Sequence, residues 1–152
     1  NPFQPRKIRI VYSTKNADGT YRIHEYKKAN ALDMLYTYAA NVYRVIDGDT
    51  LDARIDAGFG RRLTDRIRLK GINCAELSQE KGEEARAFVT EFLKPCPIVV
   101  MRTQKNKEKE MYGRWLADVF ALPGCSDPFK IAAEGVYLNQ LLLDEGLAEI
   151  YK

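Results

Sequence analysis

The stretch Val45-Ile46-Asp47-Gly48-Asp49-Thr50-Leu51 constrains this chain more than any other. Asp47-Gly48 lies between two apolar-rich runs, Val42 to Ile46 and Leu51 to Ile55, and Asp-Gly so flanked is the strongest short-range sign of a β-hairpin. A turn needs only one acid. Asp49 follows it at the mouth of the next strand, where a carboxylate has no turn duty and can point at a ligand.

The rest of the pattern builds outward from that hairpin. Met34 to Ile46 reads as a long strand, Thr50 to Ala57 as its partner and Leu63 to Ile72 as a third, with Gly58-Phe59-Gly60 between the last two. In the third strand Leu63, Ile67 and Leu69 share one parity and Arg66, Arg68 and Lys70 the other, so the apolar face turns to a core and the basic face reads as solvated sheet surface. Ala85, Phe88, Val89, Phe92 and Leu93 then recur at helical spacing, and Pro95 ends that helix. Pro97 to Thr103 and Trp115 to Leu122 read as two more strands. A charge-dense loop with nearly cancelled lysines separates them. After a Gly, Pro and Ser loop over 123–130, a second helix is expected over Ala133 to Glu145, with Leu138, Leu141 and Leu142 on one face and Gly146 as its stop. Ahead of all this, Lys7 to Ser13 and Thr20 to Tyr26 alternate around the turn Asn16-Ala17-Asp18-Gly19, an added hairpin within an amino-terminal extension over 1–33. His24, the only histidine, reads as a surface side chain.

Five short strands with a helix after the third are the plan of an OB-type barrel, although periodicity alone leaves several α+β topologies standing. The expectation is an α+β, mainly β domain over 1–152: a five-stranded barrel and two helices over 34–152, preceded by the hairpin extension. At 152 residues, one domain can bury enough surface to be stable without covalent staples. Cys74, Cys96 and Cys125 cannot all pair within one chain and show no metal-ligand spacing, so free thiols with at most one disulfide are expected. No apolar run approaches the roughly 18 residues that a membrane span requires. A net charge of +3 favours a polyanionic partner only mildly.

Three groups of residues carry a resemblance. Ile46-Asp47-Gly48-Asp49-Thr50, then Arg68-Leu69 with Gly71-Ile72-Asn73-Cys74-Ala75-Glu76, then Tyr112-Gly113-Arg114 resemble, in the same order, the motifs of the staphylococcal nuclease (thermonuclease) family. The likeness runs over roughly residues 40 to 151. It implies a calcium-dependent phosphodiesterase on an OB barrel that cuts DNA and RNA to leave a 3′-phosphate; a monomer is expected separately from the resemblance. Carried over residue by residue, Asp49, Asn73 and the Cys74 carbonyl would hold Ca²⁺, Glu76 would position or deprotonate the attacking water, and Arg68 and Arg114 would hold the scissile phosphate. Tyr112 falls at a phosphate-contacting position, and Tyr151 lies near a base-stacking one.

Elementary chemistry is consistent with those roles. Hard Ca²⁺ takes oxygen ligands, and two fixed guanidiniums suit charge that grows on a phosphodiester during attack. The chain also departs from the family. Where Asp, a small or hydroxyl residue and Pro are usual, it has Asn73-Cys74-Ala75, which removes one negative charge and a rigid proline. The family's carboxyl-terminal helix is unmatched, and the amino-terminal hairpin is added. The competing expectation is therefore a binding module for nucleic acid or protein on a catalytically weakened barrel. The presence of Arg68, Glu76 and Arg114 together speaks for the enzyme.

Overall fold

The computed structural model describes residues 11–25, 36–103 and 113–151. The chain forms two compact units, Asn1–Leu35 and Tyr36–Lys152. In the first, β1 (Val11–Lys15) and β2 (Tyr21–Glu25) form an antiparallel hairpin running from Val11 opposite Glu25 to Lys15 opposite Tyr21. Its turn is closed by Asp18, whose Oδ1 accepts from the Thr20 amide at 2.9 Å and hydroxyl at 2.6 Å. The expected strand residues Ile8, Ile10 and Tyr26 lie outside the described residues.

The second unit is a closed barrel. β3 (Thr37–Asp47), β4 (Thr50–Asp56) and β5 (Arg62–Leu69) form an antiparallel meander, and β7 (Val99–Thr103) lies on the other side of β3. β8 (Trp115–Ala121) pairs with β7 antiparallel and with β5 parallel, Ile67 opposite Trp115, which closes five strands into a ring. Closure leaves the ring without the unpaired edges of an open sheet. Leu51, Ala53, Ile67, Leu69, Met101, Ala117 and Val119 fill the interior, each at most 1% exposed. Helix α1 (Glu80–Leu93) follows β5 as expected and buries Ala85, Val89 and Leu93 in the same core.

The structure corrects four local expectations. First, the hairpin turn lies one residue later than Asp47-Gly48 implies. Asp47 pairs with Thr50, so Gly48 and Asp49 are the loop residues, and Asp47 Oδ1 accepts the Asp49 amide at 3.0 Å. Neither loop residue has the positive φ usual in such hairpins. Register shifts at Val42/Arg44 and Val45/Asp47 instead supply the local twist. Gly48 is required by crowding: a Cβ there would sit 2.6 Å from Ala85 Cβ and 2.8 Å from Cys74 Sγ.

Second, the third strand stops at Leu69. Gly71, at φ 76°, reverses the chain, and Ile72–Cys74 form a separate strand β6. Third, the second helix is two helices. Asp127 caps α2 (Pro128–Glu134), which ends at Gly135 in an extended conformation because Val136-Tyr137 (β9) pairs with Phe120-Ala121. α3 (Leu138–Asp144) follows and ends at Gly146 as expected: Leu147 N donates to Leu142 O and Gly146 N to Leu143 O, with Gly146 at φ 68°. The described residues of the second unit thus carry three helices where two are expected.

Fourth, residues 148–150, to which the sequence pattern assigns no element, form β10, which pairs with β6 so that Glu149 lies opposite Asn73. This pairing restrains the backbone that the absent proline would otherwise stiffen. Asn139, given no role by the sequence pattern, is 1% exposed and braces the β5–β8 seam. Its amide donates to Lys70 O at 3.0 Å and Ala117 O at 3.2 Å, and its Oδ1 accepts the Val119 amide at 3.1 Å. Among the described residues no helix is long and apolar enough to cross a membrane. Cys74, Cys96 and Cys125 are free thiols.

Candidate active site

A polar cavity of about 530 Å³ opens beside the β3–β4 turn. The turn brings Asp47, Asp49 and Thr50, β5 brings Arg66 and Arg68, and β6 with the segment after it brings Asn73, Cys74 and Glu76. Arg114 enters just before β8 and Tyr151 just after β10. Residues far apart in sequence meet because the turn, the ends of β5 and β6, and the start of β8 all lie on one side of the closed ring.

Asp49 is the centre of this arrangement and is 3% exposed. Its Oδ2 accepts the Cys74 amide at 2.8 Å, and its Oδ1 accepts the Thr50 hydroxyl at 3.1 Å and Arg68 Nη1 at 2.7 Å. Burial pushes its carboxyl up from the ordinary value, against which the Cys74 amide and the Arg68 charge pull it down. Arg68 is not on a solvated sheet surface: its side chain is 12% exposed. Besides Asp49, its Nη2 donates to Asn73 Oδ1 at 2.7 Å, and its Cζ lies 5.8 Å from the centre of the Tyr151 ring. Tyr151 itself is 64% exposed and fastened by its amide to Gly71 O at 3.0 Å, so one ring face is held while its surface stays open to a ligand.

Arg114 Nη1 donates to Thr50 Oγ1 at 3.3 Å. Glu76 lines the cavity and is exposed. Its backbone is held at the entry to α1, where Gln79 N donates to its carbonyl at 2.9 Å and Gly82 has no side chain because a Cβ would overlap that carbonyl. Burial first, then the charges of Asp49 and Asp47, push the Cys74 thiol up to about 12. It is a protonated packing group and not a nucleophile. What Cys74 presents to Asp49 is its amide N–H.

The structure thus gathers seven of the eight residues singled out from the sequence; Tyr112 lies outside the described residues. Sequence reasoning missed Asp47, Thr50 and Arg66 as cavity residues. Asp47 was spent on the turn. Thr50 stands inside the quoted motif without a role, and the parity of Arg66 with Arg68 was the available signal for the third.

Among the described residues no three His, Cys, Asp or Glu side chains cluster as a metal site. The oxygens of Asp49 and Asn73 nevertheless converge on one positive group, the Arg68 guanidinium, at 2.7 Å each. A carboxylate and an amide oxygen directed at a shared positive charge, with Asp47 lining the same cavity, are the donor chemistry a hard cation takes.

The family model described as Staphylococcal nuclease homologue matches residues 66–152 of the chain. A micrococcal nuclease of Shigella flexneri is 29% identical over 118 residues, which are 76% of this chain and 59% of that protein. An uncharacterized protein of Methanocaldococcus jannaschii is 23% identical over an alignment of 168 positions that takes in 93% of this chain and 74% of the relative. The chain therefore spans well under two thirds of the micrococcal nuclease it resembles.

Proposed function

The chain belongs to the family of staphylococcal nuclease homologues, and on that premise we propose that it is a calcium-dependent phosphodiesterase acting on DNA or RNA with little sequence specificity. One observation carries the proposal: Asp49, Arg68, Asn73, Glu76 and Arg114, drawn from four separate stretches of sequence, line a single cavity. A polyanion whose reacting phosphate gains charge during attack needs fixed cations on more than one side. Arg68 from β5 and Arg114 from the start of β8 supply them. Glu76, on a backbone fixed by α1, orients the attacking water or takes its proton. Asp49, Asn73 and the Cys74 carbonyl would hold Ca²⁺, which when bound supplies further positive charge to the phosphate oxygens. Tyr151, beside Arg68 and exposed, offers a stacking face to a base next to the scissile phosphate.

A second reading, a nucleic-acid binding barrel without cleavage, draws on the neutral Asn73 and on the Arg68 guanidinium already bonded to both Asp49 and Asn73. Incubating the chain with single-stranded DNA and with RNA, in Ca²⁺, in Mg²⁺ and in chelator, separates the two. Cleavage in Ca²⁺ that stops in chelator is the expected result. Retarded but intact substrate in every lane would replace the enzyme by the binder.

A further inference from the structure

The charge outside the cavity is not spread evenly. On β5, Arg62, Thr64, Arg66 and Arg68 fall on the same face, and each two-residue step along a strand advances about 6.6 Å. Arg66 lies opposite Asp52, which lies opposite Arg44, and Arg54 occupies the next outward position of β4. The register shift between Val42 and Arg44 puts two consecutive exposed side chains, Tyr43 and Arg44, at this point of β3. Tyr43 is 47% exposed, and the Arg54 guanidinium lies 5.3 Å from the centre of its ring. Three acids share the face, of which Asp47, opposite Thr50, stands at the cavity end. Asp52 has a side chain only 10% exposed and lies under Arg66, which bonds it at 2.8 and 3.2 Å, and Asp56 accepts the Gly58 amide. The chain has a net charge of only +3, so this row of arginines is a local excess.

We propose that the outer face of β3, β4 and β5 is a track for single-stranded nucleic acid leading out of the cavity. Arg66, Arg44, Arg54 and Arg62 take phosphates along it and Tyr43 takes a base. The inference rests on a nucleic-acid substrate and adds where the strand runs beyond the reacting phosphate. Continuity favours it: Arg66 lines the cavity and also begins the row. Chemistry favours a single strand over a duplex, because an exposed ring beside guanidiniums stacks with a base that is not already stacked in a helix. Length fits as well, since Arg62 to Arg68 spans about 20 Å of strand, within the reach of the roughly 4–16 nucleotides an OB barrel holds.

The test measures fluorescence anisotropy of end-labelled oligothymidylates, a trimer and a dodecamer, on the whole chain in chelator, so that binding is read without cleavage. The dodecamer should bind at least about tenfold more tightly than the trimer, as several added phosphate contacts require. Arg44→Gln with Arg54→Gln should remove most of that advantage and make the dependence of log affinity on log salt shallower by about 1.4, some 0.7 for each lost phosphate contact. Tyr43→Ala should weaken the dodecamer about fivefold or more while leaving the salt slope alone, as loss of a stacked base does. Equal binding of the two lengths, parental dodecamer binding by the double variant, or tighter binding of a duplex of the same length would each overturn the track. Cleavage in Ca²⁺ is followed in parallel. A parent that holds the dodecamer through Arg44 and Arg54 but cuts nothing upholds the track and refutes the nuclease reading; one that cuts but binds both lengths alike does the reverse.

Discussion

Asp49 and Asp118 are both buried aspartates on the barrel wall, 3% and 7% exposed, and each is bonded to an arginine. Their surroundings differ. Asp118 on β8 faces Arg102 directly across the ladder on β7, which reaches its Oδ2 at 3.3 Å through Nε and 3.2 Å through Nη2. The Tyr137 hydroxyl from β9 donates to its Oδ1 at 2.8 Å, under a ring stacked on Phe120 with centroids 5.0 Å apart. Both partners come from two strands that flank β8, so the cluster is a cross-strand lock. Asp49 is bonded instead by groups on a turn, on β5 and on β6, beyond the reversal at Gly71, and these surround open space. A buried carboxylate with an arginine is therefore not by itself a site. Convergence of chain ends around a cavity distinguishes the one from the other.

The strongest way to break that comparison is to remove one arginine from the cavity around Asp49 and, separately, the arginine of the Asp118 lock. Arg114→Ala should lower the rate of DNA cleavage by about 10²–10³, the cost of one preorganised donor to developing negative charge. Arg102→Ala should leave the rate within about twofold and cost about 1 kcal/mol of stability or less, because its side chain is 45% exposed. Comparable rates in the two variants would dissolve the distinction.

A smaller effect is expected from Asn73→Asp, which adds a carboxylate of nearly the same shape beside Asp49. Calorimetric titration should show calcium affinity rising several-fold, and cleavage should rise at limiting but not at saturating calcium. Arg68 bonds to both positions, so mutual repulsion of the two carboxylates in chelator is offset. Unchanged affinity would take residue 73 out of the metal site.

The smallest effect belongs to the lock. Burial, and then the hydrogen bond to Asp118, push the Tyr137 hydroxyl from its ordinary 10 up to about 12. A group whose pKa is raised by folding contributes stability that is present below the unfolded value and lost as pH rises through the folded one. Denaturant melts should therefore fall off between pH 10 and 12, and Tyr137→Phe should soften that fall. Identical alkaline profiles would mean that the hydroxyl is not held by Asp118.

Much of this was legible in the sequence. The alternation of β3, β4 and β8 and the spacing of Ala85, Val89 and Leu93 carried the barrel and its first helix, because burial of one face per element writes itself as a period. Three motifs carried the site. Gly135 and Gly71 defeated the pattern for a common reason: each marks a place where long-range pairing, to Phe120-Ala121 or to Ala148–Ile150, outcompetes continuation of the local element. Asn139 was illegible because a single polar residue on an apolar helix face gives no periodic sign of the backbone groups it will satisfy.

The sequence by itself determined where the barrel strands fall along the chain, the apolar faces that fill the interior, and which acids, amides and arginines stand near the ends of elements. Those features follow from local backbone preference and from the free energy of burying one side of each element. Only the tertiary structure decided that Arg68 leaves the solvated face to lie between Asp49 and Asn73, that Asp47 and Arg66 join the cavity, and that β10 braces the Asn73 backbone. Each depends on closing the ring through the parallel β5–β8 pair and on the reversal at Gly71. Asp49 and Arg68, or Asn73 and Glu149, lie too far apart in sequence for a local pattern to link them, and Arg68 and Asn73, though near in sequence, meet only because the chain reverses at Gly71.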